Sequence, residues 1–324
     1  MFEIFSHNDQ LPDRFANAVM AIGNFDGVHL GHQAVISAAR LIAQREGRAA
    51  LALTFSPHPR SFFKPDAPVF QLTSLAEKAQ LFEATGLQGM IVKTFDAALA
   101  GMSADDFVAM LVDGYRASHI VAGYDFHFGK GRTGTPDVLR ELAKQRGADV
   151  TLIAPQNGAD NLAVSSSAIR DALENGDVPR ANNLLGYRWF KEGEVQHGDK
   201  RGRALGFPTA NVALSPDCRL KHGVYAARAQ AGGFWYAAAV HFGGRIQFGG
   251  GAPLLEAHVL DFSGDLYGQK LRIEFIDFER AEEKFEDVEM LVRQMGRDVD
   301  AVRAKVAKAV AAPVTFLQAK FEQI

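Results

Sequence analysis

Short apolar runs and helix-spaced apolar residues alternate through the first half of this chain. Ala18-Val19-Met20-Ala21-Ile22 has the length and continuity of a buried strand, and Val35, Ala38, Ala39 and Ile42 then recur at helical spacing until Gly47. Ala49 to Thr54 is a second apolar run, which completes a strand–helix–strand unit. Further strands are expected at Gly89 to Lys93, His119 to Gly123 and Val150 to Ala154. Further helices are expected at Leu75 to Thr85, Ala104 to Tyr115, Asp137 to Gln145 and Ser167 to Glu174. Such alternation predicts an α/β doubly wound parallel sheet. The character changes after Leu185-Gly186: from Trp189 to Phe278 short strands and Gly-rich turns follow closely, the pattern of a small antiparallel β-barrel. Beyond Glu286, Val288, Leu291, Val292, Met295, Val299 and Val302 mark an amphipathic C-terminal helix that Pro313 ends or kinks. The tail, 314–324, has no clear assignment. The expected division is a domain over residues 1–185 and a second over 186–324.

Composition narrows the class. The 324 residues suffice for about two domains, each with a sizeable core. A hydrophobic content of 47% and a charged content of 23% are those of an ordinary globular protein. The net charge of −3 gives no electrostatic case for binding nucleic acid or an anionic membrane. Cys218 is the single cysteine, so no internal disulfide can form, which fits a reducing compartment. The N-terminus carries Glu3, Asp9 and Asp13 without a long apolar core, unlike a signal peptide. No stretch approaches the roughly 20 apolar residues needed to span a bilayer. A cytoplasmic protein is the expectation.

The first strand runs into Gly23-Asn24-Phe25-Asp26-Gly27-Val28-His29-Leu30-Gly31-His32, with the two histidines where a helix begins. A helix N-terminus offers free N–H groups and partial positive charge, so anions settle there. Histidines at i and i+3 share one face and can reach one phosphate group. Gly23 and Gly27 permit a tight turn, and Gly31 allows close approach of a nucleotide. Phosphate handling is the reading this frame favours over incidental histidines. A zinc site would lack the glutamate of an H-E-x-x-H frame and any Cys partner. No Walker A loop occurs, which excludes a P-loop enzyme. The next strand leads into Phe55-Ser56-Pro57-His58-Pro59, so His29, His32 and His58 all fall at carboxyl ends of strands, where such folds bind ligands.

Other segments admit two readings. Gly123-Tyr124-Asp125-Phe126-His127-Phe128-Gly129 is either a turn with two core phenylalanines or part of the site. In Val164-Ser165-Ser166-Ser167-Ala168-Ile169-Arg170 a serine caps the helix, and Arg170, about one turn in, could clamp a phosphate. In the second domain, Thr209 and Asn211 of Gly206-Phe207-Pro208-Thr209-Ala210-Asn211 point to one face of an extended chain. They are hard oxygen donors suited to Mg²⁺, or else a polar strand end after the basic stretch Lys200, Arg201 and Arg203. Glu256, near the start of a strand, is either a general base or a solvated strand residue.

Taken together, GNFDGVHLGH, TFSPHP, DFHFG and SSSAIR, followed by GFPTAN, GVYAAR (Gly223 to Arg228), the Glu256 strand and DLYGQKL (Asp265 to Leu271), resemble the prokaryotic bifunctional riboflavin kinase/FAD synthetase family. The likeness spans roughly residues 15 to 305, with two independent motif sets in family order. It implies a nucleotidyltransferase (FMN adenylyltransferase) domain followed by a riboflavin kinase barrel with a C-terminal helix. The implied reactions are phosphorylation of riboflavin by ATP to FMN, and AMP transfer from ATP to FMN, giving FAD and pyrophosphate. His29 and His32 would then bind the triphosphate and stabilise the transferring group. Gly23, Phe25, Asp26, Gly31 and His58 would help seat ATP, while Ser165, Ser166 and Arg170 hold phosphates. Asp125 is carried over as a flavin- or nucleotide-contacting position. Thr209 and Asn211 would coordinate Mg²⁺ and Glu256 would act as general base. Gly206, Phe207 and Pro208 would shape the kinase's nucleotide and flavin site, and Arg280 (with Glu282, Lys284 and Phe285) would stand at the flavin edge. ATP, riboflavin and FMN are the implied small-molecule partners, and a homo-oligomer is left open.

The chain departs from the family in places. It has Arg245-Ile246-Gln247-Phe248 where Arg- or Asn-Pro-Thr-Phe is usual, which removes a proline constraint near the kinase site. Glu279 stands where leucine is usual, and Ser167 replaces a common threonine. Three rival readings were weighed: a monofunctional FAD synthetase with a flavin-binding barrel, a non-catalytic flavin- or nucleotide-binding regulator, and a cytidylyltransferase sharing only the H-x-G-H frame. Intact Thr209, Asn211 and Glu256 oppose the first, retention of both residue sets opposes the second, and the second domain opposes the third.

Overall fold

The computed structural model describes residues 1–7, 9–156, 163–198, 202, 205–243, 253–312 and 317–319, which form two compact units dividing between Ser166 and Ser167. In the first unit, the elements run β1 (Glu3–Ser6), β2 (Val19–Ile22), α1 (Leu30–Glu46), β3 (Ala50–Ser56), α2 (Pro59–Phe63), α3 (Leu75–Thr85), β4 (Gly89–Thr94), α4 (Ala97–Gly101), α5 (Ala104–Ala109), β5 (His119–Gly123), α6 (Pro136–Gln145) and β6 (Asp149–Ile153). All strand pairs are parallel, in the order β1-β4-β3-β2-β5-β6. The chain steps outward from β2 to β3 and β4, then returns to lay β5 on the other side of β2. That reversal makes a switch point at the carboxyl ends of β2 and β5, where this class of sheet opens a ligand crevice.

The strands read as unbroken apolar runs because helices cover both faces of such a sheet. Every residue of β2 is buried, as are Ala50 to Phe55 of β3. Ser74 and Glu77 form a reciprocal capping box that starts α3. The helix expected over Ala104 to Tyr115 begins as α5 and widens into a π-helical turn at Met110–Gly114. β1 was not anticipated. It adds an edge strand through β4, and Phe5 alone of its four residues is buried.

The second unit opens with α7 (Ser166–Glu174) and α8 (Val178–Leu185), followed by β7 (Phe190–Gln196), β8 (Ala210–Ala213), β9 (Gly223–Ala231), β10 (Phe234–Gly243), β11 (Leu254–Val259), β12 (Lys270–Arg280) and α9 (Val288–Ala311). The six strands close an antiparallel barrel in the order β10-β11-β8-β7-β12-β9. Trp189, Phe190, Tyr225, Phe242 and Phe275 are among its fully buried side chains. Closure leaves no free sheet edge. α9 lies on this unit through Val302 and Val306, which pack with Ala226, Leu260 and Ile276. Ion pairs fasten it further: Arg280 with Asp298, Arg303 with Asp261, and Lys305 with both Asp277 and Glu279.

Packing and composition place the division between the halves at different points. Composition changes at the end of α8, whereas α7 and α8 fold with the barrel. The Lys221 N–H donates to the Leu173 carbonyl of α7 at 3.1 Å. On α8, which the sequence reading passed over, the Asn182 side chain accepts from Trp189 N–H at 2.7 Å and donates to the Phe275 carbonyl at 2.9 Å. One amide thus satisfies two backbone groups at the entry to the barrel. Asn182→Ala should cost the second unit about 2–4 kcal/mol in urea unfolding, because both backbone partners lose their bond. A loss below about 0.5 kcal/mol, the range of an inert surface change, would mean the amide carries no such role.

Candidate active sites

The first candidate site forms where β2 ends. The turn from Gly23 to His29 is tight enough to force positive φ at Phe25 (48°), Gly27 (82°) and Val28 (37°). Only Gly27 adopts this region without strain. A bulky residue and a β-branched one there cost of the order of 1–3 kcal/mol each and persist only when their surroundings fix them. Those surroundings are dense: Phe25 and Val28 are essentially fully buried. The Phe25 ring meets His32 and Phe82 edge-on at 5.3 and 5.4 Å. The Asp26 carboxylate accepts from the N–H groups of Leu72 (2.9 Å) and Thr73 (3.2 Å), and the Thr73 hydroxyl accepts from Gly27 N–H at 3.1 Å.

His29 is the N-cap of α1, its Nδ1 accepting from His32 N–H at 3.3 Å. An accepting Nδ1 puts the proton of the neutral ring on Nε2. The His29 and His32 rings stack with centroids 3.6 Å apart and planes 16° apart, so the pair acts as one block at the helix start. A Cβ at Gly31 would come within 3.2 Å of the His29 ring, so any larger residue there would press on the stacked pair. Ser166 donates to the Asp26 carbonyl at 2.8 Å, so the serine segment braces the same turn, with Ser165 beside it. His58 caps α2 at the end of β3, its Nδ1 accepting from Arg60 N–H at 3.1 Å. Asp125 is exposed just beyond β5, while Phe128 is buried and Phe126 packs against the same core. The core reading thus holds for the two phenylalanines, and Asp125 is left facing outward. Arg170 is buried on α7, on the second unit's side of the division.

Motif reading missed a cation here. Lys78 of α3 is 5% exposed, and its Nζ donates to the Asn24 carbonyl at 2.8 Å and to Thr54 Oγ1 at 3.1 Å. In sequence it reads as one more solvated helix charge. Burial pushes its ammonium down to about 8, against the pull of the Asp26 carboxylate.

The second candidate site is a cavity of about 430 Å³ in the barrel unit. Phe207, Thr209, Glu256 and Arg280 all line it. Glu256 lies opposite Asn211 on β8 and opposite His241 on β10, so one row across three strands carries an amide, a carboxylate and an imidazole. Along β11, Glu256 and His258 face the cavity, while Leu255, Ala257 and Val259 are buried on the other side. The approach to β8 is fixed by Gly202, whose carbonyl accepts from Leu205 and Phe207 N–H. His258 Nδ1 reaches the Pro208 carbonyl at 2.8 Å, and Gly206 (φ 87°) makes the bend before it. Arg280 is held by Asp298 of α9 in a two-pronged pair, Nε to Oδ1 at 3.0 Å and Nη2 to Oδ2 at 2.8 Å. Asp298 and His241, whose Nε2 lies 2.9 Å from Glu282, carry no motif signal; only the fold brings them to the cavity. Asp199, Lys200, Arg201 and Arg203, the Arg245 to Phe248 segment, and the tail beyond residue 312 apart from 317–319 lie outside the described residues.

A parallel-sheet unit with paired histidines at its switch point is thus joined in one chain to a closed barrel that carries its own cavity between one barrel face and α9, the architecture of a two-domain nucleotide-handling protein. Comparison makes this specific. A family model described as FAD synthetase matches residues 11–168, and one described as riboflavin kinase matches residues 185–306. The bifunctional riboflavin kinase/FMN adenylyltransferase of Listeria monocytogenes is 38% identical over 313 residues, covering 95% of this chain and 99% of that protein. Its namesake from Bacillus subtilis is 38% identical over 288 residues, covering 87% and 90%. A crystal structure from Streptococcus pneumoniae, named a macrolide-efflux protein, superposes with a TM-score of 0.82 at 28% identity, covering 93% of this chain and 98% of that one. No helix among the described residues here is long and apolar enough to cross a membrane. The chain belongs to the bifunctional riboflavin kinase/FMN adenylyltransferase family.

The Lys78 ammonium makes stability pH-dependent with a definite sign. Its folded pKa lies below the unfolded one, so the cost of burying the charge stands in full below pH 8 and is relieved as pH rises towards 10.5. Lys78→Met should therefore be no less stable than wild type at pH 7 in urea unfolding. Between pH 8 and 10 the wild type should gain on it by about 2 kcal/mol. A difference that does not change with pH would show that Lys78 is not buried as a cation.

Proposed function

We propose that this protein makes both flavin cofactors, phosphorylating riboflavin to FMN with ATP and then transferring AMP from a second ATP to FMN, giving FAD and pyrophosphate. The observation that carries this reading is the near full-length likeness to bifunctional relatives. Adenylyl transfer is assigned to residues 1–185 and phosphoryl transfer to residues 186–324. Thr209, Asn211 and Glu256 oppose a monofunctional synthetase, retention of both residue sets opposes a non-catalytic regulator, and the second domain opposes a cytidylyltransferase.

In the first reaction's barrel, Glu256 takes the proton from the riboflavin 5′-hydroxyl as its oxygen attacks the γ-phosphorus of ATP; the new P–O bond forms and ADP leaves. Thr209 and Asn211 supply a hydroxyl and a side-chain carbonyl, a neutral oxygen pair that fits a Mg²⁺ keeping water and phosphate oxygens as its other ligands. When bound, that cation neutralises phosphate charge during transfer. Arg280, fixed by Asp298, and Phe207, edge-on to His258, would border the flavin and nucleotide.

In the second reaction an FMN phosphate oxygen attacks the α-phosphorus in line, the bond to pyrophosphate breaks, and no protein nucleophile takes part. Catalysis is positioning and charge stabilisation. His29 and His32 hold the triphosphate at the N-terminus of α1, where N–H groups and the helix dipole already favour anions. Gly31 leaves room for the phosphates, and the turn of Gly23, Phe25 and Asp26 sets the position of both rings. His58, Ser165 and Ser166 hold the remaining phosphate oxygens, and Asp125 contacts flavin or nucleotide. Substrates and products are small molecules, and we place the protein in the cytoplasm, as its lone Cys218 and soluble substrates suggest.

Chromatography of flavins after incubation with ATP and Mg²⁺, started in parallel from riboflavin and from FMN, tests the assignment. His29→Ala with His32→Ala should lower FAD formation by at least about 10³-fold while FMN formation continues. Glu256→Gln should lower FMN formation by about 10²–10⁴-fold and leave FAD formation from supplied FMN intact. FAD made at the wild-type rate by the double variant, or FAD synthesis from FMN crippled by Glu256→Gln, would overturn the residue roles.

A further inference from the structure

Lys78 is more than the fold requires. The Asn24 carbonyl already accepts from the Thr54 hydroxyl at 3.0 Å, so the lysine is not needed to satisfy it. A Leu or Met at this place on α3 would fill the space without burying a charge, and a buried cation is normally a burden on stability. The residue nonetheless donates to the carbonyl of Asn24, between Gly23 and the strained Phe25, and its second bond, to the Thr54 hydroxyl, holds it there. Two residues further along, Asp26 sets a buried carboxylate beneath a turn that must accept a triphosphate. Its attraction to Lys78 is the main force holding the lysine charged.

We propose that Lys78 is a positioning residue for adenylyl transfer, pinning the Asn24 carbonyl so that the Gly23–His32 turn keeps one conformation and offsetting the Asp26 carboxylate under the phosphate site. The inference rests on the assignment of adenylyl transfer to this turn. Lys78 does not touch substrate; it acts through the turn that carries His29 and His32. The other ionisable groups around it are few. Glu77, on the same helix, is committed to the Ser74 N–H at 2.7 Å. α1 contributes His29 and His32 at its start, and Arg40, which donates to the Thr85 carbonyl at the far end of α3. β3 contributes the neutral Thr54. Loss of the lysine's proton therefore leaves Asp26 as the charge nearest the turn, and ATP binding should weaken as it happens.

The test measures FMN adenylylation and riboflavin phosphorylation side by side on the full chain, for wild type, Lys78→Met and Lys78→Arg, from pH 6.5 to 9.5. Lys78→Met should lower kcat/KM for ATP in adenylylation by about 10- to 100-fold, the scale of a small misplacement of catalytic groups. Riboflavin phosphorylation should stay within about twofold, well inside one tenfold step of 1.4 kcal/mol, and the thermal midpoint should not fall. Wild-type KM for ATP in adenylylation should rise as pH passes about 8. Lys78→Arg, which stays charged, should recover activity and lose that rise, and Lys78→Met should show a high, flat KM. Adenylylation by Lys78→Met at the wild-type rate would overturn the proposal, as would a flat wild-type KM across this range. Equal loss of both activities in Lys78→Met, with no rescue by Lys78→Arg and no wild-type pH effect, would leave only a structural prop and overturn it too. A wild type that phosphorylates riboflavin yet makes no FAD from FMN would instead overturn the assignment of the turn, and this inference with it.

Discussion

Within the first unit, the Asp26 carboxylate accepts from two backbone N–H groups of the segment before α3 and fixes the turn that follows β2. Everything at that site hangs from this fastening. The turn it holds includes two residues in unfavourable backbone conformations, and it ends by delivering His29 to the cap position of α1. Once His29 is there, the helix spacing brings His32 against it, and the stacked pair is set without any further device. Ser166 and Thr73 add their own bonds to the same turn, at Asp26 and Gly27. A strained turn tied from several sides is stiff, and stiffness is what a reaction run by positioning needs.

The barrel achieves rigidity by other means. Closure of six strands fixes the row His241, Glu256 and Asn211 by register alone, because residues opposite one another in an antiparallel pair have little freedom to shift. α9 then supplies one wall of the cavity through Leu291, Met295 and Val299. Arg280 illustrates how the two parts cooperate. Its strand sets where it starts, but Asp298, on the helix, sets where its guanidinium points.

Much of this was legible in the chain itself, for identifiable reasons. The β2–α1–β3 unit and the barrel were readable because buried strands are written as continuous apolar runs, and because phosphate turns need glycines and histidines at fixed spacing. β1 was not readable: a four-residue edge strand with one buried side chain leaves almost no pattern. α8 escaped because its two turns are too short for a repeating apolar pattern, and its capping by Asp177 is a single residue. The bonds from the Leu72 and Thr73 amides to the Asp26 carboxylate span 46 and 47 residues, so no local pattern announces them. Lys78 and Asp298 are ordinary helix charges until the fold buries them. Local chemistry was visible, and long-range electrostatics was not.

The ion pairs along α9 differ in how far they stand from water. Arg280–Asp298, beside the cavity, is largely buried, whereas Arg303–Asp261, about a turn further along, is half-exposed on both sides. Dissolved ions screen the exposed pair strongly and the buried one weakly. The fastenings of the helix should therefore respond unevenly to ionic strength, the Arg303–Asp261 pair weakening while Arg280–Asp298 holds, with Val302 and Val306 keeping the helix on the barrel. Hydrogen exchange along α9 at low and high salt would reveal this, and uniform protection would count against it. The wall of the cavity is thereby held by the contacts that dissolved ions reach least.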